Sequence, residues 1–343
     1  MDPRSLRASD LRFLLGLLLP VLTLEAVALR PHTAAVGALA IWWSIALAEA
    51  LWPALRRSPA PLEATSPLPW LLRAFVLVEL LLLAAGMRAV VDADWPVVLG
   101  VAFAVGFVTG AQGITFAHEL GHGRSRADRA LAWVLMSCVN YPQFMVEHYR
   151  GHHVRAATWD DPASARAGES LWRFLPRTLA GSLRGAWQLE AARLARSRRS
   201  RLASPLLWCT ALNLAFVLAL CALAQWKLLA FWLLQSAFAV WLLETVNYIE
   251  HYGLQRRTGA DGRPEPFGPA HAWNADHVLS NSLLANLQRH SDHHMHAWKP
   301  FPQLQAMPQA PQLPTGYAGC ILLAAVPPLW FALMHPRMAA ARA

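Results

Sequence analysis

"VVLGVAFAVGFVTGAQGITFA", residues 97–117, carries no charged side chain and then runs into "HELGH" at 118–122. A helix rises about 1.5 Å per residue, so about 20 such residues cross the ~30 Å hydrocarbon layer of a membrane. The stretch reads as a membrane span with histidines at its end. Working outward, apolar runs of similar length lie at 11–29, 34–55, 68–91, 204–225 and 228–248, which predicts an all-α membrane protein with six transmembrane helices. A further apolar stretch, 317–334, has Pro327 and Pro328 near its middle and reads as interfacial or half-inserted. Composition agrees, since 55% of the 343 residues are hydrophobic and only 15% charged, unlike an average soluble domain.

Arginines orient the spans. Arg4, Arg7 and Arg12 precede the first, Arg56 and Arg57 separate the second from the third, and most of the rest fall between the fourth and fifth; the opposite loops hold little beyond Arg30, Arg88 and Lys227. Under the positive-inside rule both termini, the 118–203 segment and everything after about residue 249 face the cytoplasm. The first span resembles a signal peptide behind its basic residues, but no small-residue cleavage site follows and a second span comes at once, so it reads as a retained helix. The net charge of +9 comes almost wholly from these cytoplasmic arginines. Contact with lipid headgroups is the plain reading of them; "ARLARSRRSR" at 192–201 also suits an acidic partner, and nothing points to nucleic acid.

Cys138, Cys209, Cys221 and Cys320 are scattered, with no C-x-x-C pair, so the chain encodes no zinc ribbon and no iron–sulfur or rubredoxin-type centre. Any electrons must come from another protein. No repeat of fixed period and no low-complexity linker divides the chain, so residues 1–343 read as one domain, with "RRTGADGRPEPFGP" at 256–269 a surface loop.

Fourteen histidines are present. His32 and His335 lie near helix ends, while most of the others gather in "HELGH" (118–122), "EHYRGHH" (147–153), "NYIEHYG" (247–253) and "QRHSDHH" (288–294). His118 and His122 are four apart, as are His148 and His152, and His290 and His294; on a helix such rings lie about 40° apart on one face and grip one ion. The adjacent pairs His152/His153 and His293/His294 diverge by about 100° and reach two places. The four clusters hold nine imidazoles, His118, His122, His148, His152, His153, His251, His290, His293 and His294, more than one first-row metal accepts, so two ions with open positions fit the count. Imidazole alone does not choose among iron, copper, zinc and nickel.

Carboxylates lie beside these rings: Glu119, Glu147, Glu250, Asp292 and the pair Asp160/Asp161. The reading preferred for them is a hydrogen bond to the outer nitrogen of a ligating ring, which fixes its tautomer. Asn274 and His277 in "HAWNADH" (271–277) are further candidates, the competing reading being a loop cap with a solvated histidine; His271 and His296 have no assigned role. "HELGH" also matches the zinc metalloprotease pattern, in which the glutamate is a general base. That reading needs one zinc and leaves seven clustered histidines without a purpose. A metal transporter is disfavoured, because its site belongs near the bilayer midplane.

Taken together, the motifs resemble the integral-membrane, histidine-rich di-iron oxygenases, a group that includes fatty-acid desaturases, xylene monooxygenase and alkane 1-monooxygenase. "NYIEHYGL" (247–254) and "LQRHSDHH" (287–294) are similar to the signatures of the alkane 1-monooxygenases, and "DDPAS" (160–164) and "LPTGY" (313–317) fall where that subfamily has comparable segments. The resemblance implies two iron ions held by the nine histidines on the cytoplasmic face of a bacterial inner membrane. It implies hydroxylation of an alkane's terminal methyl by O2, with electrons from rubredoxin and rubredoxin reductase. Xylene-type methyl hydroxylation and fatty-acyl desaturation are the alternatives on the same scaffold. Gly123, where the family commonly has lysine, is a departure. Attacking so strong a C–H bond selects iron over zinc. An alkane dissolved among membrane lipids calls for a passage between helices, and Trp42 and Trp43, midway along the second span, are bulky enough to close its far end. Ordinary packing is the plainer reading of either tryptophan alone.

Overall fold

The computed structural model describes residues 8–60 and 68–342; Arg4 and Arg7, used above to orient the first span, lie outside the described residues. Three helices open the chain: α1 (Leu15–Leu29), α2 (Ala34–Leu51) and α3 (Pro69–Val90). Next come α4 (Trp95–Val108), a π-turn at Thr109–Gly113 and α5 (Ile114–His122). The segment that follows holds α6 (Arg126–Cys138), α7 (Phe144–Glu147), a second π-turn at His148–His152, α8 (His153–Arg155) and the long α9 (Leu171–Arg196). Then come α10 (Pro205–Ala222), α11 (Trp226–His251), α12 (Val278–Leu283), α13 (His290–Met295), α14 (Tyr317–Ala324) and α15 (Pro327–Arg342). Among the described residues there is no β-strand, only isolated bridges at Thr258–Pro264 and Asn274–Gln312.

Among the described residues, six helices are long and apolar enough to cross a membrane: Leu11–Leu29, Pro31–Leu51, Trp70–Val90, Trp95–His122, Pro205–Ala222 and Trp226–His251. The protein is a multi-pass membrane protein. Where bounds differ from the apolar runs, local chemistry is the reason. The second span stops at Leu51 rather than 55 because Pro53 forces Trp52 into an extended conformation. The fourth and sixth run on to His122 and His251, since a helix continues past the hydrocarbon while its polar end finds partners. Prolines in the first turn and serine caps set several starts: Ser204 Oγ accepts from Leu207 N at 3.3 Å ahead of Pro205, and Ser170 Oγ accepts from Arg173 N at 3.4 Å at the start of α9. The stretch around 317–334 is broken into α14 and α15, bent 119° apart, because Pro327 begins a new helix and cannot continue the old one.

The fourth span is the axis of the bundle: 78% of its apolar window is buried, against 11% for α10 at the periphery. Two glycines let it lie directly against α11. A Cβ at Gly106 would stand 2.8 Å from the Gln235 carbonyl oxygen, and one at Gly110 would stand 2.7 Å from Ala239 Cα. This small-xxx-small contact brings together the two helices whose ends carry His118, His122 and His251.

Candidate metal centre

The nine clustered histidines meet at one end of the bundle in two groups. His118, His122, His148, His153 and His293 form one, and His152, His251, His290 and His294 form the other; within each, one nitrogen per ring lies within 4.8 Å of the rest. The closest approaches join nitrogen to nitrogen. His118 Nε2 lies 2.9 Å from His293 Nε2, His153 Nε2 lies 3.0 Å from His148 Nε2, and His290 Nε2 lies 3.1 Å from His251 Nε2. Two ligands each bound at about 2.0–2.1 Å to one ion and set at right angles stand about 3 Å apart, so this spacing suits imidazoles around shared cations. Buried nitrogens without a hydrogen-bond partner add to the fit: His122 Nε2, His152 Nε2 and both nitrogens of His294. Such atoms are costly unless something else fills the role.

The partition departs from the sequence reading at one pair. His148 and His152 are four apart and were expected to share an ion, yet they fall in different groups. The π-turn at His148–His152 is the reason: its wider turn lines up residues five apart, so His148 joins His153 while His152 swings to the other group. His118/His122 and His290/His294 sit in ordinary α-helix and each stay together; the adjacent pairs split as their 100° divergence requires. Burial holds the rings of His148, His153, His290, His293 and His294 well below the ordinary imidazole pKa, with neighbouring rings adding to the effect. They are therefore neutral near pH 7, the form in which imidazole binds a metal.

One of the carboxylates hydrogen-bonds a clustered ring, and two others lie beside rings without a hydrogen bond. Asp161 Oδ2 stands 2.9 Å from His152 Nδ1 and also accepts from Ser164 Oγ at 2.6 Å. Burial opposes a charge on His152, but Asp161 outweighs it and moves that ring above its ordinary value. Glu250 Oε1 lies 3.1 Å from His290 Nδ1, and Glu119 Oε1 lies 3.6 Å from His118 Nδ1. The others turn elsewhere. Glu147 pairs with Arg155; Asp292 accepts from Lys299 Nζ at 2.8 Å and lies 2.7 Å from His296 Nδ1; Asp160 is exposed. Asn274 binds Ser291, donating to its Oγ at 2.6 Å and accepting from its N–H at 2.9 Å, and His277 precedes α12 at its N-cap position. Neighbours in sequence point about 100° apart on a helix, which is why adjacency to a histidine misled for Glu147 and Asp292. Tyr317, inside "LPTGY", had no assigned role; its hydroxyl donates to Glu250 Oε1 at 2.7 Å and so fixes the carboxylate that faces His290.

An apolar cavity runs from Trp42 and Phe107 to His118, His148 and His290, which belong to both groups. Trp42 is buried, stacks on Phe107 at 5.4 Å and donates from Nε1 to the Ala318 carbonyl at 3.0 Å. Trp43 is 50% exposed on the outer surface of α2 and does not line the cavity, which corrects the expectation that both tryptophans border the passage.

The profile of the family described as "Fatty acid desaturase" matches residues 93–324. Alkane 1-monooxygenase 1 of Pseudomonas aeruginosa is 42% identical over 268 residues, 77% of this chain and 70% of that protein. Alkane 1-monooxygenase 2 of the same organism is 44% identical over 249 residues, 72% of this chain and 66% of that protein. The xylene/toluene monooxygenase hydroxylase component of Pseudomonas putida is 28% identical over 239 residues, 69% of this chain and 63% of that protein. The matched stretch thus spans between 63% and 70% of these relatives' lengths. With a profile match over most of its length and relatives above 40% identity, this chain belongs to the fatty acid desaturase family, and alkane 1-monooxygenases are among its relatives.

Proposed function

We propose that the chain is a rubredoxin-dependent alkane 1-monooxygenase: R–H + O2 + 2 e− + 2 H+ → R–OH + H2O, with the hydroxyl placed on the terminal methyl. The nine histidines hold two iron ions, His118, His122, His148, His153 and His293 around one and His152, His251, His290 and His294 around the other. The iron pair supplies the oxidising power, with O2, that no acid–base group can bring to an unactivated methyl. Everything else is the work of the chain. Asp161 orients the ring of His152, and Glu250 lies beside that of His290. The cavity admits the alkane from the bilayer, binds it at about 0.8 kcal/mol per buried methylene, and brings one end of the chain to the metal-facing rings first. Terminal selectivity then follows from position rather than from bond strength. Electrons arrive from rubredoxin and rubredoxin reductase, and the site faces the cytoplasm of a bacterial inner membrane, as the distribution of arginines suggests.

The observation that carries this reading is the apolar passage ending on His118, His148 and His290, rings drawn from both groups. A single-zinc protease uses two histidines and one further ligand, and gives no account of a second buried group of four. Oxidation of an aromatic methyl is the second reading, favoured by the 28% identical xylene/toluene relative. The test is metal analysis of iron-supplemented protein, followed by reconstitution with rubredoxin, its reductase and NADH. Octane, hexadecane, xylene and stearoyl substrates are offered together and the products separated by gas chromatography. Two irons per chain and 1-alkanols are expected. A lone zinc, or turnover of only the aromatic or acyl substrates, overturns the assignment.

A further inference from the structure

A second, small cavity touches the metal-facing rings, and its lining is polar. Tyr141, Ser182, Glu244 and Asn247 border it beside His148 and His152, one ring from each histidine group. All six side chains are buried. Phe144 and Asn247 line this chamber and the long apolar cavity alike, so they belong to the wall between the two. The polar groups converge on Glu244. Tyr141 donates its hydroxyl to Oε1 at 2.8 Å, while Thr178 Oγ1 and Asn247 Nδ2 donate to Oε2 at 2.8 and 3.2 Å. Toward the surface the chamber is bounded by the ion pair of Glu147 with Arg155: Glu147 lines it, and the Arg155 side chain is 31% exposed. Two glycines make room for that pair. A Cβ at Gly151 would collide with both side chains, and one at Gly185 would stand 3.3 Å from Glu147 Oε1.

We propose that this chamber is the water and proton port of the metal centre, a held water passing protons inward from the Glu147–Arg155 pair to the side of His148 and His152. The proposal rests on the function given above and supplies the protons that its balance requires. Hydroxylation breaks the O–O bond of dioxygen; one oxygen enters the C–H bond, and the other takes two electrons from the carrier and two protons and leaves as water. Water in the apolar cavity would compete with the alkane for that space, so protons and product water need a separate polar route. The chamber has room for about one water, and Tyr141, Ser182, Glu244 and Asn247 offer it the two to four polar partners that a buried water keeps. Of the nine clustered rings only His122 and His153 are partly exposed, and both belong to the five-histidine group. Solvent beside them reaches one group, whereas the chamber reaches both.

X-ray radiolysis tests whether the chamber is wet. Iron-loaded protein in nanodiscs is exposed to a synchrotron pulse that splits water, and hydroxyl labels are located by mass spectrometry. Tyr141 should be labelled although it is buried, and Phe174, buried and not part of the chamber, should not. Ser182→Met fills the chamber and should cut the Tyr141 label about fivefold or more, while Ser182→Ala should keep it. With rubredoxin, its reductase and NADH, Ser182→Met should turn over alkane about tenfold more slowly and with a larger solvent deuterium isotope effect, its iron content and product chain lengths unchanged. Tyr141→Phe removes one hydroxyl at nearly constant volume, should raise the isotope effect in the same way, and stands in if Ser182→Met does not hold iron. An unlabelled Tyr141 in the wild type means a dry chamber and overturns the port. Turnover and isotope effect unchanged in Ser182→Met, or in Tyr141→Phe where it stands in, overturn it as well, water and protons then entering beside His122. Both results leave the proposed function standing. Wild-type protein that is labelled at Tyr141 yet hydroxylates none of the alkanes overturns the proposed function and the port with it.

Discussion

Asp161 shows how one side chain holds a ring in place. It stands 2.9 Å from His152 Nδ1 and is itself tied by Ser164 Oγ and the Ala163 N–H, which leaves His152 Nε2 as the nitrogen aimed at the four-histidine group. Asp161→Asn removes the charge that fixes this tautomer, and iron affinity is expected to fall by about 10- to 100-fold. Anaerobic titration of the metal-free protein with ferrous iron measures it; an unchanged affinity would show that Asp161 serves only its loop. Trp42 and Trp43 separate function from packing at neighbouring positions, one buried against Phe107 and the other 50% exposed. Trp42→Ser should lengthen the cavity and shift products toward longer alkanols, each added methylene that finds room improving binding about fourfold. Trp43→Ser should leave the chromatographic product profile of an alkane mixture unaltered, and the same shift in both variants would mean that lipid contact, not the cavity, sets chain length. The sequence marks both tryptophans as bulky but does not say which faces inward, because each lies in an apolar run with no polar face to set the register.

Helices carry the next level of specification, and two local irregularities decide the outcome. One is the close contact of α4 with α11 through Gly106 and Gly110. A leucine at 110 meets the backbone of Ala239, so Gly110→Leu should destabilise the protein by about 1–3 kcal/mol or more and reduce iron occupancy as the ends bearing His118 and His251 part. Gly37→Leu is the control, because nothing lies within 4 Å of a Cβ there. Thermal melts of the two variants in detergent should differ by several degrees, and equal melting temperatures would count against the glycine contact. The other irregularity is the π-turn at His148–His152. Six spans and nine histidines can be read from composition and spacing, as can the divergence of His152 from His153. The union of His148 with His153 cannot, because a π-turn leaves no mark on an apolar-polar pattern and the four-residue rule applied at 118/122 and 290/294 gives the wrong partner here. The cationic partners of Glu147 and Asp292 escape for a related reason: Arg155 and Lys299 are eight and seven residues away, beyond the reach of a single-turn argument, although His296, which also meets Asp292, is only four residues on.

The whole molecule sets an apolar bundle against one end crowded with neutral bases, and that arrangement has a pH signature. Burial keeps His148, His153, His290, His293 and His294 below the 6.5 of a free imidazole in the folded protein. The unfolded chain binds protons at these sites once the pH drops under 6.5, whereas the folded chain does so only at lower pH, so the stability they contribute above 6.5 is lost as acid is added. Each ring removes about 1.4 kcal/mol per pH unit over that interval. Two groups outside the spans act in the opposite direction: Glu147, pushed up to about 7 by burial, and His152, raised against burial by Asp161. Both favour the folded state as protons are added, but they are outnumbered five to two. The melting temperature of metal-free protein should therefore fall steadily between about pH 7 and about pH 5. Iron should raise the melting temperature above pH 6.5 and lose that effect below it, because binding requires the deprotonated rings. A metal-free melting temperature that stays level across this range would mean that the nine rings are already hydrated in the folded state. The two buried groups would then lack the dry, neutral character on which metal binding at the end of the cavity depends.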